Sequence, residues 1–267
     1  MPDLYLQIAD QPDSVLEAIA ASMEDRISDP AMQEICADYL GRLPGPGAEV
    51  VEIGCGNGSS TEMILRHLRP GRLVGIDPAE GLLARARKRF ATRDEMSFAS
   101  GNAVQTGLPG EGADVVVAHT VYSHLADPAA ALAEARRLLR PGGILAVFDG
   151  DYATNTVALF DGDPLQAAMV STQRNLIHDP YIMRHLPRMM REAGFEAPES
   201  RAYGFVQTGR PAYIQSLMAR GVTAAAAAGD CSEALAQGFR DETDARVEAG
   251  RFYGAILFAC HAARKPA

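Results

Sequence analysis

The sequence lacks the excess of basic residues that a nucleic-acid-binding surface requires. It contains 25 lysines and arginines against 34 aspartates and glutamates, which gives a formal net charge of −9 at pH 7. Because proteins bind the phosphates of nucleic acids mainly through clustered positive charge, this balance argues against a general nucleic-acid surface. We therefore expect no nucleic-acid partner.

The sequence also lacks an apolar run long enough to span a bilayer. Its first ten residues, MPDLYLQIAD, contain no basic region followed by an apolar one, so they do not resemble a secretory leader. The hydrophobic content of 47% and the charged content of 22% are typical of a globular protein. We expect a cytoplasmic protein with no membrane partner.

Cysteine is scarce, and the spacing of the four cysteines does not resemble a metal site. No CxxC or Cys/His ligand spacing occurs, so reduced, mostly buried thiols are expected at Cys36, Cys55, Cys231 and Cys260. A short acidic cluster could supply oxygen ligands to magnesium or calcium, but it lacks the spacing of a calcium loop. We interpret the cluster as a polar turn and expect no metal; its members are Asp149, Asp151, Asp161 and Asp163.

The most informative stretch that is present is a glycine-rich turn in residues 48–61, AEVVEIGCGNGSST. A short apolar strand precedes the turn, and good helix-capping residues follow it. Gly54, Gly56 and Gly58 alternate, so each can adopt dihedral angles closed to other residues, and a ligand can approach the backbone closely. A strand that leads through such a turn into a helix predicts a binding site at the carboxyl end of a parallel sheet.

The details of the turn restrict the ligand. A dinucleotide fingerprint would have its third glycine at the position of Ser59, and a phosphate-binding P-loop would end in Gly-Lys-Ser/Thr, which is absent here. Glu52, just before the first glycine, would repel a phosphate but suits a cation. These features predict a positively charged ligand whose binding does not depend on phosphates. An ordinary tight turn without a ligand is the alternative.

The block EIGCGNG, from Glu52 to Gly58, closely resembles motif I of the class I S-adenosylmethionine-dependent methyltransferases. The stretch RLLRPGG, from Arg137 to Gly143, resembles the same family. The resemblance is specific over residues 49–150 and is nearest to the branch that includes ubiquinone and menaquinone biosynthesis enzymes. It implies that S-adenosylmethionine is the cofactor, that the glycine loop packs against its methionine part, and that Glu52 lies nearby.

Residues that follow the next predicted strands extend this resemblance. Asp77 lies about 20 positions beyond the glycine loop, where an acidic side chain is placed to accept hydrogen bonds from ribose hydroxyls. The resemblance implies that Asp77 holds the cofactor ribose and that Pro78 follows it in the site. Asn102 and Ala103 stand where the family commonly has Asp-Ala against adenine. The asparagine departs from the pattern, although its amide oxygen can still accept a hydrogen bond.

Strands and helices alternate from residue 49 to residue 148, which predicts a right-handed parallel sheet with helices on both faces. With the resemblance, we expect an α/β fold: a Rossmann-like, doubly wound, seven-stranded, mostly parallel sheet with one antiparallel strand. The antiparallel strand is expected at residues 252–262, beside a strand at 199–207. The expected regions are an N-terminal helical arm or lid (1–47), a cofactor-binding core (48–150), acceptor-binding cap helices (151–198) and a C-terminal part that completes the sheet (199–267).

The catalytic half of the site is less well defined by the sequence. His119 ends the apolar strand at residues 113–119 and is expected beside the cofactor. His124 and Asp151 are our first candidates for a base that removes a proton from the acceptor; histidine suits this role because its pKa lies near neutrality. A reaction that depends on proximity alone, without a base, stays open.

The expected activity is transfer of a methyl group from S-adenosylmethionine to oxygen, carbon or nitrogen of a small-molecule acceptor. An enzyme that uses the same cofactor for aminopropyl transfer or cyclisation is the first alternative. A nicotinamide-dependent oxidoreductase and a non-catalytic cofactor-binding protein are further alternatives, and both monomer and homodimer stay open.

Overall fold

The computed structural model describes residues 3–209 and 211–267. The chain begins with the predicted helical arm, which consists of a 3₁₀ segment (Leu4–Asp10), α1 (Asp13–Ser28) and α2 (Pro30–Leu40). Asp29 separates α1 from α2; its side chain accepts a hydrogen bond from Ala31 N and so caps α2, and Pro30 occupies the first turn of that helix.

A seven-stranded sheet lies at the centre of the described residues and confirms the predicted fold. Its strands are β1 (Glu49–Ile53), β2 (Arg72–Asp77), β3 (Met96–Ser100), β4 (Ala113–His119), β5 (Leu139–Thr156), β6 (Glu199–Thr208) and β7 (Tyr253–Arg264). The spatial order is β3-β2-β1-β4-β5-β7-β6, and β7 pairs antiparallel with both β5 and β6. The sheet therefore has the single antiparallel strand that was expected at the C-terminal end of the sequence.

Helices cover both faces of the sheet. They are α3 (Ser59–Leu68), α4 (Glu80–Arg89), α5 (Pro128–Leu138), α6 (Pro164–Leu176), α7 (Ile182–Glu192), α8 (Ala212–Ala228) and α9 (Glu233–Glu248), with a 3₁₀ turn at Tyr122–His124. Two separate buried clusters of apolar side chains lie on the two faces. The strand order reverses between β1 and β4, and ligands of open α/β sheets bind at such a switch point, outside the carboxyl ends of the strands.

The prediction of a polar turn after Asp149 is wrong for the first half of that segment, because β5 continues to Thr156. Asp149, Gly150 and Asp151 pair with residues of β7, which supply backbone hydrogen-bond partners that the sequence pattern does not reveal. The register then shifts before Thr156. The extended strand has a direct consequence for the site, because side chains of a strand alternate between the two faces of the sheet.

All four cysteines are free; three are buried and Cys231 is half-buried. Within residues 3–209 and 211–267, no helix is both long enough and apolar enough to cross a membrane. In the same part of the chain, no three His, Cys, Asp or Glu side chains are grouped as metal ligands would be.

A buried ion pair joins α9 to the segment that follows β5. Asp163 accepts hydrogen bonds from Leu159 N and Leu165 N, the second of which caps α6. Its two carboxylate oxygens also accept from Arg246 at 2.6 and 2.9 Å, and both side chains are almost fully buried. The Arg246 guanidinium lowers the pKa of Asp163 to about 2, so the pair is charged at neutral pH.

We expect Arg246→Leu to lower the free energy of unfolding by roughly 3–5 kcal/mol, because it leaves the Asp163 carboxylate buried and unpaired. Arg188→Leu is the control, since Arg188 pairs with Glu192 on the exposed face of α7; its effect should stay within about 1 kcal/mol. Urea unfolding of both variants measures the difference. Equal effects of the two substitutions would contradict the structural importance of the buried pair.

Candidate active site

A cavity of about 430 Å³ lies at the switch point of the sheet. This volume is within the range of small-molecule sites, about 300–1,000 Å³. The cavity is formed by the glycine loop after β1, the end of β2, the loops after β3 and β4, and the 3₁₀ segment of the arm, which covers it. Five residues expected to bind the cofactor line it: Gly54, Asp77, Pro78, Asn102 and Ala103.

The glycine loop has the backbone geometry that the sequence predicted. Gly54, Gly56 and Gly58 have φ angles of 71°, 53° and 82°, in the left-handed region that favours glycine. A Cβ on Gly54 would lie 2.4 Å from the side chain of Val121, and one on Gly56 would lie 2.8 Å from the sulfur of Met23. Only Gly54 of the three lines the cavity, so Gly56 and Gly58 shape the loop from behind.

Asp77 connects the glycine loop to the end of β2. Its Oδ2 accepts a hydrogen bond from Gly56 N, and its Oδ1 accepts one from Ala79 N, both at 2.9 Å. Each carboxylate oxygen has further acceptor capacity that can serve a ligand in the cavity. Burial raises the pKa of Asp77 to about 6, so the carboxylate is mainly ionised at neutral pH.

Asn102 lines the cavity, but its amide oxygen holds its own loop. The Oδ1 atom accepts hydrogen bonds from Val104 N and Gln105 N, at 3.0 and 2.8 Å. Both lone pairs of the oxygen are therefore used, and the amide NH₂ group is what remains for a ligand. A contact of Asn102 with adenine stays a prediction. In this arrangement the amide NH₂ group would make it as a donor, whereas the amide oxygen was expected to make it as an acceptor.

Glu52 is fully buried beneath the glycine loop and does not line the cavity. Its carboxylate oxygens accept hydrogen bonds from the hydroxyls of Ser60 and Thr61, at 2.6 and 2.5 Å. The structure thus gives Glu52 a role in fixing the start of α3 against β1. Burial raises the pKa of Glu52 to about 7, and the two hydroxyl hydrogen bonds oppose this shift.

His119 also lies behind the cavity rather than in its lining. Its Nδ1 is 2.8 Å from the hydroxyl of Tyr39, and its ring stacks on Phe148 with the ring centroids 4.7 Å apart. Burial and the nearby Arg26 charge lower the pKa of His119 well below its usual value, so the ring is neutral. His119 therefore packs under the site as part of the core.

The arm contributes to the site through Arg26. Its guanidinium donates to Thr120 Oγ1 at 2.7 Å, and Thr120 lines the cavity with a φ angle of 56°. A left-handed threonine is strained, and such strain is typical of functional sites. No sequence signal distinguishes Thr120, because its partner Arg26 is 94 positions away in the chain.

A second, smaller recess of about 20 Å³ adjoins the cavity. Tyr5, Met23 and His124 line both spaces and so connect them. The recess is further lined by side chains of α1, β5, the end of α6 and α8: Ser22, Arg26, Tyr152, Leu176, Ile177, Tyr213, Leu217 and Arg220.

His124 is the predicted base candidate that lies at the junction of the two spaces. Its Nδ1 is 2.6 Å from Oδ2 of Asp3, whose side chain is only 1% exposed. The same carboxylate also accepts from Tyr5 N and His178 N, which fixes its position. A carboxylate on one ring nitrogen orients the imidazole and leaves the other nitrogen for chemistry. The sequence pattern gave no indication of Asp3, which is distant in the chain.

Asp151, the other predicted base, lies elsewhere. It lines neither space, and its Oδ2 accepts a hydrogen bond from Arg184 Nε at 2.7 Å. Its neighbour Tyr152 lines the recess. Because β5 continues through these residues, consecutive side chains point to opposite faces, and the one that points to the recess is the tyrosine.

Comparison with known proteins agrees with this geometry. Residues 51–147 match the family described as "Methyltransferase domain". The chain is 34% identical over 156 residues to an "Uncharacterized 37.1 kDa protein in transposon TN4556" of Streptomyces fradiae, covering 57% of this chain and 45% of that protein. It is 33% identical over 111 residues to a "Trans-aconitate 2-methyltransferase" of Acidovorax sp. (strain JS42), covering 41% and 42%. The chain thus spans about half the length of the curated relatives it matches.

A solved structure resembles nearly the whole chain. It is phosphoethanolamine N-methyltransferase 2 of Haemonchus contortus, in complex with phosphomonomethylethanolamine and S-adenosylhomocysteine. The TM-score is 0.61 at 15% identity, and the match covers 98% of this chain and 59% of that one. At this identity the likeness concerns the fold.

The raised pKa of Glu52 predicts a specific pH dependence of stability. Because the folded state binds the Glu52 proton more tightly than the unfolded state does, the contribution of Glu52 to the free energy of unfolding should fall as pH rises from about 4.5 to about 7. Glu52→Gln removes this titration. We expect the variant to gain roughly 3 kcal/mol relative to wild type across that window.

Urea unfolding of both proteins between pH 4.5 and pH 8 tests this expectation. The free energy of unfolding of the variant minus that of wild type should increase up to about pH 7 and stay constant above it. Parallel pH profiles for wild type and Glu52→Gln would show that the Glu52 carboxyl has the same pKa in the folded and unfolded states.

Proposed function

Because residues 51–147 belong to the class I S-adenosylmethionine-dependent methyltransferase family, we propose that this chain transfers a methyl group from that cofactor to a small-molecule acceptor. The observation that carries the proposal is the 430 Å³ cavity at the switch point, where the glycine loop and Asp77 come together. The cofactor supplies an electrophilic methyl group attached to a positively charged sulfur.

The residues of the cavity suit the parts of this cofactor. The ionised Asp77 carboxylate offers acceptors for ribose hydroxyls and adds negative charge for a cationic ligand. The apolar side chains of Ile76, Val121 and Leu125 offer surfaces for a purine ring. The covering 3₁₀ segment excludes water, and exclusion of water strengthens the electrostatic interactions inside the site.

His124 is the proposed base for an acceptor that must lose a proton. It lies between the cavity for the cofactor and the recess, and Asp3 holds its ring. Proton removal by an oriented histidine typically contributes a factor of about 10²–10⁴ to the rate. An acceptor that needs no base would be methylated through proximity alone.

Experiments can distinguish methyl transfer from the alternative functions. Aminopropyl transfer or cyclisation would use the same cofactor residues, so the identity of the product separates them from methyl transfer. Ser59 in place of a third glycine, together with the acidic Glu52, argues against a nicotinamide cofactor. A non-catalytic protein would bind the cofactor without turnover. Because the chain resembles a trans-aconitate 2-methyltransferase, trans-aconitate is the first acceptor to assay.

We expect Asp77→Ala to weaken binding of S-adenosylhomocysteine by at least about tenfold, because charge-assisted hydrogen bonds to the ligand are lost. Isothermal titration with S-adenosylmethionine and S-adenosylhomocysteine measures the affinities. Glu62→Ala, which removes an exposed carboxylate on α3, is the control and should bind as wild type does. Absence of binding in the wild type, together with binding of NADH, would overturn the proposed function.

We expect His124→Asn to lower kcat by about 10²–10⁴ with little change in the affinity for S-adenosylhomocysteine, and Asp3→Asn to have a smaller effect of the same kind. Methyl transfer is measured with an acceptor identified by a screen that starts from trans-aconitate. The control is His185→Asn, which changes an exposed histidine on α7. An unchanged kcat in His124→Asn would indicate that proximity suffices and that His124 is structural.

A further inference from the structure

Two arginines face the 20 Å³ recess, and neither has an acidic partner among the described residues. Arg26 is 9% exposed; it donates to Thr120 Oγ1, and its Nε is buried without a hydrogen-bond partner. Arg220 is half-buried; it donates to Ser22 Oγ at 2.9 Å, and its Nε is likewise buried without a partner. Neither side chain forms an ion pair within the part of the chain that the structure describes.

The surroundings of the two guanidinium groups are aromatic and apolar. Arg26 lies over the ring of Tyr213, with 5.6 Å between its Cζ and the ring centroid. Tyr5 and Tyr152 complete the aromatic part of the wall, and Leu176, Ile177 and Leu217 form the apolar part. A cation–π contact compensates only part of the cost of removing a charge from water.

Two like charges that face one small space also repel each other. Arginine stays protonated in proteins, so neither group can avoid this cost by losing its proton. The cost is therefore borne by the protein as long as the recess holds no anion. A bound anion would supply the missing partner, since a guanidinium binds carboxylates with paired hydrogen bonds.

We propose that Arg26 and Arg220 bind a carboxylate group of the methyl acceptor in this recess. This inference rests on the proposed function, because the recess adjoins the cavity for the cofactor and shares His124, Tyr5 and Met23 with it. The recess of about 20 Å³ has room for one small terminal group rather than for a whole molecule, and a guanidinium can form two parallel hydrogen bonds with a carboxylate. The acceptor is thus an organic acid with the carboxylate as its recognition group.

The arm is part of this binding site. Arg26 and Ser22 belong to α1 and Tyr5 to the 3₁₀ segment, whereas Arg220 and Tyr213 belong to α8. A carboxylate between the two arginines would therefore join the arm to the C-terminal half of the chain. It would also hold the rest of the acceptor beside His124, at the junction of the two spaces.

The test measures ligand binding by the protein saturated with S-adenosylhomocysteine, by isothermal titration at constant ionic strength. The probes are trans-aconitate, succinate and benzoate, the neutral succinamide and benzamide, and inorganic phosphate. We expect at least one acid to bind and its affinity to fall by at least about tenfold in Arg26→Gln and in Arg220→Gln, because each variant loses a charged hydrogen-bond donor. The amides should not bind, and Arg188→Gln, which changes an exposed arginine on α7, should leave acid binding unchanged.

Several outcomes would overturn the inference: equal binding of acids and amides, acid binding unaffected in both glutamine variants, binding of phosphate alone, or no acid bound. Arg26→Lys and Arg220→Lys keep the charge and should bind acids with intermediate affinity; they replace the glutamine variants if those fail to fold. Binding of S-adenosylhomocysteine separates the two proposals. If the wild type does not bind it, the proposed function fails; if it binds but the acids do not, only the carboxylate site fails.

Discussion

The hydrogen bond from Gly56 N to the Asp77 carboxylate is the interaction on which the site depends. It joins the turn after β1 to the end of β2, two segments that a parallel sheet brings to the same edge. The glycine supplies a left-handed backbone that points its N–H towards the carboxylate, and the carboxylate keeps acceptor capacity for a ligand. Behind this bond, Glu52 fixes α3 through Ser60 and Thr61, so the loop is held from both sides.

The negatively and positively charged groups around the site lie in different places. The Asp77 carboxylate supports the glycine loop and lines the cavity at the end of β2, where it suits a cationic cofactor. The unpaired guanidinium groups lie on the other side of the cavity, where α1 and α8 meet. His124 and its partner Asp3 lie between the two. The site thus has two surfaces of opposite charge, which suits the proposed transfer from a cationic cofactor to an organic acid.

The N-terminal arm does more than cover one edge of the sheet. It supplies Asp3, Tyr5, Met23 and Arg26, and each of them contacts the glycine loop, the base candidate or the recess. The arm also packs on α4 and α8 through its buried apolar face. Removal of the arm would therefore uncover the cavity and also remove part of the wall of the recess.

The sequence by itself determined the order of strands and helices, the glycine loop and Asp77. These features are local: an apolar run, a turn of glycines and an acidic residue at a strand end each follow from a few consecutive residues. It did not determine that β5 continues to Thr156, because the pairing with β7 joins residues about 100 positions apart. Only the tertiary structure brought Asp3 to His124 and Arg26 to Arg220, and turned Asp151 away from the site. Contacts between distant segments leave no periodic signal, so the glycine loop and Asp77 could be predicted, whereas the surroundings of His124 and Arg26 could not.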